Sequence, residues 1–184
     1  MISISGGWGP PVAGYDDVTA AVREAEDAGI MVVNVGTGTG LSSGVVLRGL
    51  GRPPTADPNV FESYEPGIWW ATDFYAGTSQ FDRLLMPMDS RTKASQAGPD
   101  DYAPARVGGN SWVPPYAAGL YALAVHVDPA ITPDRFWDTA LDARRVIEVE
   151  HEGRTFSLGT IVDPVALIDA VSAEKVGQGR RPRD

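Results

Sequence analysis

The segment from Val107 to Pro129, VGGNSWVPPYAAGLYALAVHVDP, constrains the fold of this chain more than any other. Its glycine pair, Gly108 and Gly109, leads into a run of apolar and small residues that only burial satisfies. The pattern predicts a buried helix. Pro114 and Pro115 suit its first turn, where a missing N–H costs no hydrogen bond, and Asp128-Pro129 ends it. Ser111 falls at or just before the helix N-terminus. There the free N–H groups and the positive end of the helix dipole favour negative charge, which suits a serine whose attack on a carbonyl creates an oxyanion. Serine is also a common N-cap, so this stretch alone leaves a catalytic and a purely structural role open.

The chain ahead of that segment reads as strand, helix, strand. Ile2-Ser3-Ile4-Ser5 alternates like a strand and breaks at Gly6-Gly7-Trp8-Gly9-Pro10-Pro11. From Tyr15 to Ala28, the positions Val18, Ala21, Val22, Ala25 and Ala28 follow helical spacing, with Gly29 suited to the C-terminus. Ile30 to Val35 is apolar except for Asn34, as in a central parallel strand covered on both faces. Such a unit predicts a βαβ crossover and the α/β class. Gly36-Thr37-Gly38-Thr39-Gly40 follows at the strand end where open parallel sheets bind ligands. As a dinucleotide fingerprint it lacks a further glycine at the required spacing, and Val45-Val46-Leu47 follows instead of a helix.

Beyond it, Arg48 to Gly77 is rich in glycine, proline and aromatics, too long for an ordinary loop, and predicts a short helix or a loop packed by its own rings. Arg83 to Met88 reads as a strand and Asp89 to Arg106 as a polar loop. Thr132 to Ala143 predicts a helix with a stripe of Phe136, Trp137, Ala140 and Leu141, packed on the back of the sheet. Residues 146–150 and 154–158 flank His151-Glu152-Gly153 as a hairpin. Asp163-Pro164 to Val171 forms a last helix, and residues 173–184 read as a disordered tail.

The serine segment also carries a family likeness. Gly109-Asn110-Ser111-Trp112-Val113-Pro114-Pro115-Tyr116-Ala117-Ala118-Gly119 resembles the nucleophile motif of the subtilisin-like serine peptidases, whose usual form is Gly-Thr-Ser-Met-Ala-Ala/Ser-Pro, then a small pair and Gly. Gly109, Ser111, Pro115, Ala118 and Gly119 match. Asn110 replaces the usual Thr, and Val113 and Pro114 replace small residues. Asp128 to Asp134 is similar to the segment that leaves the serine helix in that family. The resemblance implies a partial doubly wound parallel sheet with helices on both faces and a C-terminal hairpin, spanning residues 1–172. It implies a polypeptide substrate, with Ser111 as nucleophile and no cofactor or metal. Ser5, Gly6 and Gly7 would pair with the extended substrate, and Asn34 and Gly36 would line its cleft. The oxyanion-donating Asn of the family has no counterpart: its position falls on Thr37 or Gly38, and Asn34 lies too early in the strand. Thr37 is the candidate substitute.

A serine nucleophile needs an adjacent base, and here the resemblance stops short. The chain has two histidines, His126 and His151, and both follow Ser111, whereas in the subtilisin-like order Asp and His precede Ser. His126 lies about four turns along the same helix, about 20 Å from Ser111, and reads as a core or interface residue. His151 falls in a hairpin turn. No Asp-Thr-Gly or Asp-Ser-Gly occurs. The likeness covers the half of a peptidase domain from the substrate-pairing strand onward, so the expected partner is an N-terminal half carrying Asp and His. Without it, the sheet edge and one side of the serine helix would be left exposed and the chain inactive.

Charge narrows the other partners. Fifteen basic against twenty-four acidic residues give a net −9, which disfavours nucleic acid and anionic membranes. There is no cysteine, no metal-ligand spacing and no apolar run long enough to span a bilayer. MISISGGWG has neither the basic start nor the apolar core of a signal peptide, which predicts a cytoplasmic location, or secretion if a longer native chain supplies a signal. Two other functions fit the same residues: a non-catalytic pseudoprotease that holds an extended peptide, and, less well, a nucleotide-binding α/β domain.

Overall fold

The computed structural model describes residues 1–6, 9–35, 45–78 and 83–179. Strand β1 (Ile2–Ile4), helix α1 (Tyr15–Asp27) and strand β2 (Val32–Asn34) form the expected crossover, with β1 and β2 parallel and Ile4 opposite Asn34. Alternation along β2 gives each face its own helix. Val32 meets Val22, Val18 and Ala25 of α1, whereas Met31 and Val33 point into the main core beneath the serine helix.

A second sheet has five strands in the order β4-β3-β5-β9-β8, formed by β3 (Val46–Gly51), β4 (Glu65–Pro66), β5 (Arg83–Pro87), β8 (Arg145–His151) and β9 (Arg154–Ile161). Its centre, β3-β5-β9, is parallel, and β4 and β8 join antiparallel at the edges. The architecture is therefore mixed α/β. It differs from one continuous parallel sheet: among the described residues β1 and β2 form a separate two-stranded sheet. The hairpin predicted over residues 146–158 spans 145–161 and supplies the antiparallel edge, because a tight turn at Glu152-Gly153 can only reverse the chain.

The serine segment forms the shared roof. Helix α3 (Val113–Val127) packs against β1, β2, β3 and β5, and so spans both sheets. Its residues Val113, Ala117, Leu120, Tyr121 and Ala124 join Leu47, Leu84 and Met86 in the main core. Helix α4 (Pro133–Asp142) starts with Thr132, whose hydroxyl accepts the Arg135 N–H at 3.3 Å. Its stripe is buried as expected, but its main neighbours are α3 and the C-terminal helix α5 (Pro164–Gly179), not the strands. It forms an outer helical layer.

Most rings of the aromatic segment are core, Trp69 being exposed. Tyr64, Trp70 and Phe74, the last on helix α2 (Ala71–Tyr75), pack with Leu50, Leu85, Leu158 and Ile161 on the sheet face opposite α3. Two parts depart from expectation. The polar loop contains a short hairpin, β6 (Arg91–Ala94) with β7 (Tyr102–Ala105), whose exposed strands carry no apolar alternation to signal them. The tail expected from residue 173 is helical through Gly179, because Glu174 bonds Arg135 at 2.5 Å and Lys175 donates to the Val127 carbonyl at 2.6 Å. These contacts join residues distant in sequence, so local polarity misreads the segment.

Candidate functional site

The path into Ser111 is fixed by backbone crowding. Gly108 lies so close to the strand end at Met88 that a Cβ there would stand 2.3 Å from the Met88 carbonyl oxygen. Its N–H donates to Asp89 Oδ1 at 2.6 Å, and its carbonyl accepts the Trp69 indole N–H at 3.3 Å. Asp89 is buried, and burial pushes its carboxyl above the ordinary value against the opposing effect of the Gly108 N–H. Gly109 then runs extended into a single 3₁₀ turn, Asn110–Trp112, that continues directly into α3.

Ser111 is in that turn, and its hydroxyl is not the helix cap. No side chain caps α3; Ser111 Oγ instead donates to the Ser5 carbonyl at 3.1 Å. Ser5 Oγ returns a bond to the Ser111 carbonyl at 2.7 Å. Two residues 106 positions apart are thereby locked together at the surface, both exposed. Of the structural and catalytic roles open to this serine, ordinary N-capping is overturned by this geometry. Pro114 and Pro115 carry no N–H and the Val113 N–H donates to the Asn110 carbonyl, so the first three residues of α3 offer the helix dipole but no free N–H.

The other expected site residues divide between the described and undescribed parts. Gly6 follows Ser5 in a bend beside the site. Asn34 is buried at the end of β2, in register with Ile4, one residue before Ser5. Gly7, Gly36 and Thr37 lie outside the described residues. Neither histidine approaches Ser111. His126 is exposed on the last turn of α3, which overturns the core role of the two expected for it, because it falls on a face of the helix left uncovered among the described residues. His151 is also exposed and stacks on the Tyr75 ring at 3.7 Å. Among the described residues, the partner of Ser111 Oγ is a carbonyl and not a base.

That uncovered face extends the site. Pro115, Gly119, Ala122, Leu123 and His126 are exposed, and their spacing sets them on the same side of the helix as Ser111. Leu123 is 55% exposed, and a Cβ at Gly119 would meet nothing within 4 Å. Among the described residues β1, which α3 packs against, pairs only with β2. Sequence reading anticipated an exposed flank here but missed Asp89 and Trp69, whose roles depend on contacts across 19 and 39 residues. Asn110 was noted only as a departure from the motif; its Oδ1 is buried without a partner.

Among the described residues no group of acidic or histidine side chains could hold a metal ion, and no helix is long and apolar enough to cross a membrane. Neither a protein-family model nor a curated protein matches this sequence.

Proposed function

We propose that this chain carries the nucleophile-bearing part of a subtilisin-like serine endopeptidase. The reciprocal bonding of Ser5 and Ser111 carries the reading. It sets an exposed hydroxyl at the start of a helix buried on one face, next to the end of a strand whose other edge is unpaired among the described residues. An extended polypeptide adding to β1 would pass its carbonyls across Ser111. In hydrolysis Ser111 Oγ would leave the Ser5 carbonyl, give its proton to a base and attack the peptide carbonyl; the C–N bond then breaks as the base protonates the departing amine, and water hydrolyses the acyl-enzyme. The donor to the developing oxyanion would be Thr37, since Pro114 and Pro115 carry no N–H.

The base would come from a segment other than those described, one that also supplies the carboxylate orienting it. The shared face of Ser111, Pro115, Gly119 and Leu123 is where that segment would dock, because it runs from the nucleophile along the helix without a covering residue. Loss of the histidine alone costs such enzymes about 10⁶ in turnover, so the described residues by themselves would not turn over peptide at a useful rate.

Fluorophosphonate labelling tests this. Labelling of Ser111, abolished in Ser111→Ala and appearing only on addition of a segment bearing Asp and His, supports the peptidase. A second reading is a non-catalytic peptide-binding protein, favoured by the engagement of Ser111 Oγ with a carbonyl. It requires peptide binding that survives Ser111→Ala and no labelling under any condition.

A further inference from the structure

Ser111 is bonded to the end of one sheet and covalently joined to a strap, Val107–Gly109, that rests on the other. The far side of that strap is apolar and open. Ile68, Trp69 and Val107 are 62%, 63% and 61% exposed, a concentration of large apolar surface that solvent alone does not favour. Ile68 and Val107 line a cavity of about 430 Å³ together with Pro54, Pro66, Tyr75 and Arg106. The indole of Trp69 is tied to the Gly108 carbonyl, so the wall is attached to the strap itself.

The charges at this cavity are unequal in their freedom. Arg52 is engaged by the carbonyls of Ala56 and Ser90, and the Asp89 carboxylate holds the Gly108 N–H. Glu65 remains on the edge strand. Arg106 is exposed and has neither an ion pair nor a side-chain hydrogen bond among the described residues.

We propose that this wall is a specificity site for the same extended polypeptide, taking a bulky apolar side chain against Ile68, Trp69 and Val107, with an adjacent acidic side chain on Arg106. The inference rests on the reading that the cleft at Ser5 and Ser111 holds an extended chain. It adds which sequence that chain carries on the side of Ser111 away from Ser5. The cavity has room for a bulky side chain together with its acidic neighbour, and Val107, which lines it, is separated from Ser111 by only three residues, about 13 Å at full extension.

The test is binding, independent of hydrolysis. Fluorescein-labelled, end-blocked decapeptides with a central Phe-Glu pair or a Gly-Ser pair are titrated by fluorescence polarisation into the full 184-residue chain and its Ser111→Ala variant. Both proteins should bind the Phe-Glu peptide at least tenfold more tightly. Ile68→Ser and Trp69→Ala should abolish the preference, Trp69→Phe should retain most of it, and Arg106→Glu should reduce it several-fold. Ile68 and Arg106 are exposed, so those variants fold whatever the strap does in Trp69→Ala. Equal affinities for the two peptides, no binding of either, or a preference indifferent to both Ile68→Ser and Arg106→Glu overturns the proposal. A preference that persists in a protein inert to fluorophosphonate sinks only the hydrolytic reading. Labelling without preference sinks only this one.

Discussion

Gly108→Ala is the sharpest perturbation the structure offers. The new Cβ would lie 2.3 Å from the Met88 carbonyl oxygen and 3.0 Å from its carbon, both backbone atoms that cannot rotate away. The strap must move by about an ångström, which breaks the 2.6 Å bond from the Gly108 N–H to the buried Asp89 carboxylate. Overpacking of this kind costs about 1–3 kcal/mol, and a buried polar group left without its partner about 1–3 kcal/mol more. The two together span about 2–6 kcal/mol; at about 3 kcal/mol, after some relaxation, the melting temperature of a chain this size should fall by about 6–12 °C. Gly109→Ala is the internal control. Its backbone is extended at φ −113°, its nearest heavy atom to a Cβ is 4.0 Å away, and it should change stability by less than about 1 kcal/mol. Thermal and urea unfolding measure both, and fluorophosphonate labelling in the complemented protein reports whether Ser111 has moved. If Gly108→Ala unfolds within about 0.5 kcal/mol of the parent, or the two alanines cost the same, the strap is not set by Met88 and Asp89 and the site geometry argued from it fails.

Three further outcomes follow from the same coordinates. Ser5→Ala and Ser111→Ala each remove an exposed bond and should cost about 1 kcal/mol or less, with the double variant costing less than the sum; strict additivity in urea denaturation would mean the two bonds are not coupled. Leu123→Lys, on the open face of α3, should leave the melting temperature within about 2 °C and lower self-association in sedimentation, because that side chain has no covering neighbour to lose. If it destabilises strongly, the face is already packed. Burial would raise the Asp163 carboxyl, but the Ala166 N–H, the Arg145 guanidinium at 2.7 Å and the Val165 N–H together hold it below its ordinary value. A depressed carboxylate stabilises fully above its unfolded value of 3.8 and loses that contribution as pH falls through its folded value. Acid titration of unfolding should therefore steepen below pH 3.8 in the parent, and Asp163→Asn should remove that component; an unchanged acid limb would refute the assignment.

Legibility varied with the distance over which a feature is decided. The crossover at residues 2–34 and helix α4 were readable because periodicity and capping residues are local. Tyr64, Trp70 and Phe74 lie in a core, as rings of that size usually do, whereas their neighbour Trp69 is exposed. The β6–β7 hairpin was not legible: its strands lie on the surface and carry no alternating pattern. The length of α5 was misread for the opposite reason. Polar residues at 174 and 175 look like a solvated tail, yet they are held by Arg135 and the Val127 carbonyl.

The site shows the same division. Sequence alone placed a serine at the start of a helix with two prolines in its first turn, because helix starts and proline placement are local matters of backbone geometry. It also indicated that no histidine precedes the serine. Only the tertiary structure decided that Ser111 bonds Ser5 instead of capping its own helix, that Gly108 is wedged against Met88, and that Leu123 and Ile68 remain uncovered. Those outcomes depend on which distant atoms arrive within a few ångströms. Helical periodicity and turn chemistry constrain neighbours in the chain, whereas packing selects neighbours in space.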